Sequence, residues 1–132
     1  MNGTNLTDLN LQGKKILIVE DDFISAQLIK ELFLGTRVEM VHVLTASGAI
    51  EQIQNNTKFD LVLLDIQLPD MNGLQVAKTI KNKRPNLPIV VQTAYAFDSY
   101  KQRSKEVGCD YFITKPLDMP KLHEVLKKIF KK

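Results

Sequence analysis

Residues 16–22 read Ile-Leu-Ile-Val-Glu-Asp-Asp, and residues 61–65 read Leu-Val-Leu-Leu-Asp. Each stretch is a short, continuous apolar run that ends abruptly in carboxylates. A continuous run, in place of an alternation of apolar and polar residues, is typical of a strand that is buried on both faces of a parallel sheet. The two stretches therefore predict a parallel sheet with acidic residues at the carboxyl ends of two of its strands.

Similar apolar runs alternate along the rest of the chain with segments of helical period. The predicted strands and helices, in chain order, cover 15–19, 23–34, 38–44, 46–54, 61–64, 73–83, 89–92, 97–107, 111–114 and 119–130. Five strands in strict alternation with five helices are the pattern of a doubly wound α/β fold, in which helices cover both faces of a parallel sheet.

The segment ahead of the first strand differs in composition from the rest. Residues 1–13 are polar, rich in Asn and Thr, and aperiodic. We therefore expect an N-terminal tail or linker outside the core, followed by one domain over 14–132. A length of 132 residues, with 44% hydrophobic and 25% charged residues, suits a single globular domain and leaves no room for a separate DNA-binding domain.

Several functional classes are disfavoured by composition. No apolar stretch approaches the roughly 20 residues of a membrane span, and the N-terminus lacks the apolar core of a signal peptide. We expect a cytoplasmic protein that makes no direct membrane contact. The single cysteine, Cys109, cannot form an internal disulfide, and no cysteine or histidine has the spacing of a zinc site.

The formal net charge of +3 raises the question of nucleic-acid binding. Residues 115–132 hold six lysines against Asp118 and Glu124, which leaves 12 basic and 13 acidic residues in the rest of the chain. Apolar residues recur at helical spacing in this last segment, so we interpret it as an amphipathic helix whose terminal lysines complement the helix dipole. We therefore expect no direct contact with nucleic acid.

The residues directly after the predicted strands are the candidate functional residues, because a doubly wound sheet binds ligands beyond the carboxyl ends of its strands. They comprise carboxylates, a hydroxyl and an amine: Glu20, Asp21 and Asp22 after the first strand, Asp65 after the third, Thr93 after the fourth and Lys115 after the fifth. Asp22 also precedes a helix, so we expect it to cap that helix.

Carboxylates gathered at one site repel one another unless protons or a cation compensate. Oxygen ligands without His or Cys select Mg²⁺, Mn²⁺ or Ca²⁺, and a site with few protein ligands leaves positions for water and a phosphate, which favours Mg²⁺. Such an ion, the Lys115 ammonium and the Thr93 hydroxyl would neutralise and hydrogen-bond a phosphoryl group during transfer. Asp65 is then the candidate nucleophile, which would form an acyl phosphate.

Five motifs occur in order along the chain. The first two are the stretches at 16–22 and 61–65. The other three are Pro-Asp-Met-Asn-Gly at 69–73, Thr-Ala at 93–94 and Lys-Pro at 115–116. Together they resemble the receiver domain of two-component response regulators, from about Lys14 to the C-terminus. Each motif alone is weak, but five in register are specific. The resemblance implies a flavodoxin-like fold with a five-stranded parallel sheet flanked by five helices.

The resemblance also implies roles for the acidic residues. Asp65 would be the phosphoacceptor, and Glu20 and Asp21 would be the acidic pair that holds Mg²⁺ together with Asp65. Gln67 would supply its backbone carbonyl to the metal, for which Mn²⁺ is an alternative. Lys115 would contact the phosphoryl group. Glu20 occupies the first acidic position, where Asp is commoner in the family. Because Glu is one methylene longer, we expect the details of metal binding to differ.

The resemblance also implies a second set of residues, which would act in switching. Thr93 would be the hydroxyl that moves onto the phosphoryl group, and Phe112 the aromatic side chain that swings inward on activation. Gln67 and Tyr95, two residues beyond Asp65 and Thr93, would flank the route of attacking water and tune the phosphoryl lifetime. The peptide bond between Lys115 and Pro116 would be cis.

The implied partners are proteins. A histidine kinase or a histidine phosphotransfer protein would donate the phosphoryl group, and a downstream protein would bind the face formed by the last two helices and the fifth strand. We expect no turnover enzyme, although slow self-dephosphorylation fits the site. Two settings stay open: a stand-alone regulator, or the receiver of a hybrid sensor kinase. Leu-Gln-Gly-Lys-Lys at 11–15 resembles the entry to receivers of the second kind, which we favour slightly.

Two functional alternatives remain. One is a receiver-like scaffold that is never phosphorylated, which the complete acidic site, Thr93 and Lys115 disfavour. The other is a phosphatase-like enzyme of the haloacid dehalogenase type, which needs a second Asp two residues after the nucleophile as general acid. Gln67 stands at that position and cannot exchange a proton.

Overall fold

The computed structural model describes residues 6–55, 57–95 and 97–131. The strands are β1 (Lys15–Val19), β2 (Glu39–Val43), β3 (Leu61–Leu64), β4 (Ile89–Thr93) and β5 (Tyr111–Thr114). The helices are α1 (Phe23–Leu32), α2 (Ala46–Gln54), α3 (Gly73–Lys83), α4 (Asp98–Glu106) and α5 (Met119–Ile129). The predicted doubly wound α/β fold is confirmed, and the predicted elements differ from the observed ones by at most two residues at an end.

The five strands form one parallel sheet in the order β2-β1-β3-β4-β5. The central strands β1, β3 and β4 are the continuous apolar runs, and all their residues are buried except Lys15 at the start of β1. The edge strands β2 and β5 are largely half-exposed. The strand order reverses between β1 and β3, so the carboxyl ends of these two strands border the crevice where such folds bind ligands.

Alternate residues of β1 contribute to different cores. Ile16 and Ile18 lie in the apolar cluster that includes residues of α1 and α5, whereas Leu17 and Val19 lie in the cluster formed with α2 and α3. This alternation follows from the two-residue period of a strand. Because both faces are covered, the sheet is a rigid support for the side chains that follow its strand ends.

Polar residues cap four of the five described helices at their N-termini. In four cases a side-chain oxygen accepts a backbone N–H of the first turn: Asp22 for α1, Thr45 for α2, Asn72 for α3 and Asp118 for α5. The prediction that Asp22 caps a helix is confirmed, with Ser25 N–H donating to its Oδ2 at 3.1 Å. Among the helices of the described residues, none is long and apolar enough to cross a membrane.

The segment that precedes β1 differs from the expectation in one respect. Residues 6–13 contain no helix or strand, as expected of a tail, but Leu6 and Leu11 are buried in the cluster formed by α1 and α5. The Leu11 N–H donates to the Thr36 carbonyl at 2.7 Å. The expectation of a segment outside the core is therefore wrong for these two leucines. Residues 1–5 of the predicted tail lie outside the described residues, and the boundary at residue 14 stays a prediction.

Truncating either buried leucine tests this packing. Leu6→Ala and Leu11→Ala are each expected to lower the free energy of unfolding by about 2–5 kcal/mol, because each removes a buried side chain and leaves a cavity. Urea denaturation measures the change. Leu34→Ala is the matched control, since Leu34 is 63% exposed, and it should cost at most about 0.5 kcal/mol. Equal costs at all three positions would contradict the packing.

Candidate functional site

The carboxyl ends of four strands bring the predicted site residues to one rim of the sheet. Val19 pairs with Leu64 in the register of β1 and β3, so the next residues, Glu20 and Asp65, emerge side by side. The Asp65 N–H donates to the Val19 carbonyl at 3.1 Å. The Lys115 N–H donates to the Thr93 carbonyl at 2.7 Å, which ties the ends of β4 and β5. The Lys115–Pro116 peptide bond is cis, as the resemblance implies.

Three carboxylates converge at this rim. Glu20, Asp21 and Asp65 each offer one oxygen atom, and these atoms lie within 4.8 Å of one another. Glu20 is fully buried and Asp65 is 5% exposed, whereas Asp21 is open to solvent. Asp22, the fourth acidic residue, has its Oδ2 engaged in capping α1, which distinguishes it from the other three. The residues that the sequence predicted as side-chain metal ligands are therefore brought together.

The ammonium of Lys115 is shared between two of these carboxylates. Its Nζ lies 2.6 Å from Glu20 Oε1 and 2.7 Å from Asp65 Oδ2. Burial by itself lowers the pKa of Lys115, but the hydrogen bonds to Asp65 and Glu20 outweigh it and hold the pKa above its usual value. Lys115 is therefore a charged ammonium at neutral pH and partly balances the acidic cluster.

Asp65 experiences opposing influences. Burial raises the pKa of Asp65 above its usual value, while the hydrogen bonds from Lys115 and from the Gln67 N–H act in the opposite direction, and the charge of Glu20 raises the pKa further. The Gln67 N–H donates to Asp65 Oδ1 at 3.0 Å. The carboxylate is thus oriented through both oxygens, yet it retains a tendency to bind a proton that a further cation would remove.

The backbone of Asp65 is packed tightly against the start of α3. The Gly73 N–H donates to the Ile66 carbonyl at 2.7 Å. A Cβ on Gly73 would collide with the Asp65 carbonyl oxygen and lie 2.7 Å from the Ile66 Cα, both of which are backbone atoms. Only glycine permits this approach, which accounts for the glycine that ends the 69–73 motif.

The predicted switch residues lie on the β4 and β5 side of the cleft. Thr93 is fully buried, and its Oγ1 accepts the Tyr95 N–H at 3.2 Å. Tyr95 is 40% exposed, with its ring centroid 6.2 Å from that of Phe97. Phe112 is half-buried and packs against a small cluster formed by Ile66, Leu74 and Val91, so it is neither fully inside nor fully outside the domain.

A divalent cation fits the chemistry of this donor set. Three carboxylates face one shared ammonium, so the cluster carries an excess of negative charge in a largely buried setting. The donors are oxygens, which hard cations prefer. The cleft has a volume of about 700 Å³ and is lined by all three carboxylates together with Gln67, Thr93, Tyr95 and Lys115. It has room for an ion, water and a phosphoryl group.

Sequence reasoning missed one residue of the site. Gln92, on β4, is 1% exposed, and its Nε2 donates to Glu20 Oε1 at 3.2 Å. The signal in the sequence is a glutamine inside the apolar run of residues 89–92, where the other three residues are Ile, Val and Val. Its partner could not be read from the sequence, because β4 is separated from β1 by β3.

The fold and the cleft together define a class: α/β proteins that gather acidic residues, a lysine and a hydroxyl at the strand ends of a parallel sheet. Residues 16–127 match the family of response regulator receiver domains, and the chain belongs to this family. It is similar to the polar-differentiation response regulator DivK of Brucella ovis, with 30% identity over 116 residues that cover 86% of this chain and 94% of DivK.

Solved structures share the fold of this chain. A CheY-like response regulator receiver domain from Methanospirillum hungatei superposes with a TM-score of 0.81 at 32% identity, over 87% of this chain and 91% of that one. The receiver domain of the sensor histidine kinase PA1611 from Pseudomonas aeruginosa shares the fold, with a TM-score of 0.81 at 21% identity over 91% of this chain and 99% of that one. The PA1611 structure holds a magnesium ion in its active-site cleft.

Gly73→Ala tests the close approach of α3 to Asp65. The added Cβ must displace backbone, so we expect a loss of about 3 kcal/mol in the free energy of unfolding, the upper end of the range for over-packing. Gly48→Ala, at a helical glycine of α2 whose Cβ would lie 3.2 Å from the Val43 Cβ, is the control and should cost much less. Urea denaturation of both variants measures the difference. Equal losses in the free energy of unfolding would contradict the close packing of Gly73 against the Asp65 backbone.

The titration of Asp65 tests the electrostatics of the site. In the metal-free protein we expect the pKa of Asp65 to lie above the ordinary 3.8, because burial disfavours its charged form. Lys115→Met should raise the pKa of Asp65 further, since the variant removes a positive charge that lowers it. Carboxyl ¹³C resonances followed against pH report both changes.

Asp70 is the internal control for this titration. The N–H groups of Ala46 and Ser47 hold the pKa of Asp70 below its usual value, and the side chain is exposed. It should titrate below Asp65 and be unaffected by Lys115→Met. An Asp65 midpoint at or below that of Asp70 would contradict the proposed environment.

Proposed function

We propose that this receiver domain accepts a phosphoryl group on Asp65 in a Mg²⁺-dependent step and relays the change to a protein-interaction surface. The observation that carries the proposal is the Lys115 ammonium, 2.7 Å from Asp65 Oδ2 and 2.6 Å from Glu20 Oε1, in a cleft where three carboxylates converge. Asp65 is the carboxylate that the Lys115 ammonium and the Gln67 N–H hold through opposite oxygens. It is therefore oriented for attack.

The proposed donor is the phosphohistidine of a histidine kinase or of a histidine phosphotransfer protein. A carboxylate oxygen of Asp65 forms a bond to phosphorus while the P–N bond to the imidazole breaks, and the electron pair of that bond stays on the histidine nitrogen. The product is an acyl phosphate on Asp65. The raised pKa of Lys115 keeps its ammonium charged, so it can balance the charge of the phosphoryl oxygens during transfer.

Magnesium belongs to the proposal because of the donor set. Glu20, Asp21 and Asp65, with the backbone carbonyl of Gln67, would hold the ion, and Mn²⁺ would serve as an alternative. When bound, the ion supplies positive charge to the phosphoryl oxygens. The ion would also reduce the repulsion among the carboxylates, because the Lys115 ammonium balances only part of their charge.

Switching is proposed to begin at Thr93. A phosphoryl group adds nearly two negative charges and several acceptor oxygens at Asp65. The Thr93 hydroxyl would donate to it, which draws the side chain away from the Tyr95 N–H that it now accepts. Phe112, half-buried beside the cluster of Ile66 and Val91, would then pack further inward.

The proposed output surface consists of α4, β5 and α5. Ser104 is the one buried residue of α4, so this helix is held by little buried surface and is easily displaced. Phe97, just ahead of α4, is 59% exposed and lies in a row of rings with Tyr95 and Tyr100. A downstream protein binding this surface would detect movement that begins at Thr93.

Receiver domains are signalling domains, and we propose that this one is not a turnover enzyme. Gln67 stands two residues beyond Asp65 and cannot act as a general acid, which argues against the phosphatase alternative. Gln67 and Tyr95 both line the cleft and are proposed to tune the lifetime of the acyl phosphate. The complete acidic cluster with Lys115 and Thr93 argues against a scaffold that is never phosphorylated.

The setting of the domain is also a proposal. We favour a cytoplasmic receiver that belongs to a hybrid sensor kinase over a stand-alone regulator, on the resemblance of residues 11–15 to the entry of such receivers. Leu6 and Leu11 are buried against the domain, so the described part of the segment ahead of β1 packs on it. The length of the natural reading frame upstream of Met1 decides between the two settings.

Asp65→Asn tests the phosphoacceptor. We expect this variant to lose Mg²⁺-dependent labelling by a small phosphodonor such as phosphoramidate, because an amide is not a nucleophile of this kind. Phosphoprotein electrophoresis or mass spectrometry measures the label. Asp70→Asn is the matched control and should be labelled like the wild type, since Asp70 is exposed and its carboxylate accepts the Ala46 and Ser47 N–H groups at the start of α2. Full labelling of Asp65→Asn would overturn the proposal.

A further inference from the structure

Gln92 is a buried polar side chain whose presence in the core is not explained by packing. It lies on the central strand β4 between Val91 and Thr93, and it is 1% exposed. Its Nε2 donates to Glu20 Oε1 at 3.2 Å. Its Oε1 is buried and has no hydrogen-bond partner among the residues that the structure describes. An unpartnered buried carbonyl destabilises a fold, so an apolar residue of the same size would serve packing better.

The contact with Glu20 is the feature that an apolar residue could not provide. Glu20 is fully buried, and its two oxygens accept three donors. The Asp22 N–H donates to Oε2 at 3.1 Å, while Lys115 Nζ and Gln92 Nε2 both donate to Oε1. Gln92 reaches Glu20 from β4 across β3, so the contact ties the carboxyl ends of two strands that are not neighbours.

The three donors to Glu20 differ in what they respond to. Lys115 is shared with Asp65, so any charge added at Asp65 competes for its ammonium. The Asp22 N–H is a backbone group at the start of α1. Gln92 is neutral and is fixed by the sheet, so its hold on Glu20 does not depend on the charge of the cleft. A glutamate has one more rotatable bond than an aspartate, and an anchor of this kind selects one of its conformers.

We propose that Gln92 is a positioning residue: its side-chain amide holds the longer Glu20 carboxylate in place for a divalent cation. The inference rests on the proposed function, because it assigns Gln92 a part in the metal site of that function. Mutation of residues that orient metal ligands through hydrogen bonds typically weakens metal binding by about 10- to 100-fold. Gln92 does not line the acidic cleft, so it would act through Glu20 and not by contact with the phosphoryl group or the ion.

Gln92→Met is the primary test, because methionine keeps the length of the side chain and removes the donor. We expect its dissociation constant for Mg²⁺, measured by NMR titration of the unphosphorylated protein, to rise about tenfold, the lower end of the usual range for such residues. The free energy of unfolding in EDTA should change little, because the variant removes the unpartnered Gln92 carbonyl together with the hydrogen bond to Glu20. Val90→Ala, two residues earlier on β4 and fully buried, should lower stability and leave the Mg²⁺ affinity unchanged.

A double-mutant cycle with Glu20→Asp separates positioning from general damage. The shorter aspartate carboxylate should not reach Gln92, so Gln92→Met in the Glu20→Asp background should change the Mg²⁺ dissociation constant less than twofold. In the otherwise unchanged protein, the side-chain amide resonance of Gln92 should move on Glu20→Asp. This last measurement leaves Gln92 in place, so it tests the contact on which the proposal depends even where Gln92→Met does not fold.

The outcomes are distinct for the two proposals. A wild-type Mg²⁺ affinity in Gln92→Met, an equal loss in both backgrounds of the cycle, or an amide resonance that ignores Glu20→Asp overturns the role of Gln92. A wild-type protein that binds no Mg²⁺ and takes no label from a phosphodonor overturns the proposed function itself. The second result is obtained without any Gln92 variant, so the two failures cannot be confused.

Discussion

The mutual repulsion of three carboxylates at one sheet edge is the constraint on which the site depends. Like charges about 4 Å apart repel by about 4 kcal/mol at the effective dielectric constant near a protein surface. Glu20 and Asp65 are also withdrawn from water. The Lys115 ammonium offsets part of this energy by contacting both carboxylates. In the proposed function, the remaining excess of negative charge would favour a bound cation. Burial, with a smaller contribution from the charge of Glu20, keeps the pKa of Asp65 raised.

Such a cluster persists only where the backbone cannot relax. The register of β1 and β3 sets Glu20 beside Asp65, and both strands are buried on both faces. His42, on the edge strand β2, adds a hydrogen bond between its Nε2 and the Glu20 carbonyl at 2.7 Å. On the far side, α3 lies so close to the Asp65 backbone that only Gly73 fits. The buried strands and the close contact with α3 thus hold the carboxylates together against their mutual repulsion.

The regular parts of this arrangement could be predicted from the sequence, and the irregular parts could not. Continuous apolar runs located the central strands, and residues after strand ends located Asp65, Thr93 and Lys115, because parallel strands share one functional edge. Leu6 and Leu11 escaped prediction because the leucines at 6, 9 and 11 of this polar segment follow neither the helical nor the strand period. Gln92 escaped because a hydrogen bond across an intervening strand leaves no local pattern, only a polar residue where an apolar one is expected.

Two consecutive residues at the end of β4 have different roles in the proposed mechanism. Gln92 and Thr93 are consecutive on β4, so their side chains leave opposite faces of the sheet. Gln92 contacts Glu20, and Thr93 lines the cleft. β4 is paired on both sides, with β3 and β5. Its end therefore resists displacement when charge is added at Asp65. In the proposed mechanism, the movement would therefore pass to the Thr93 side chain and to the loop beyond it, where exposed Tyr95 and Phe97 precede α4.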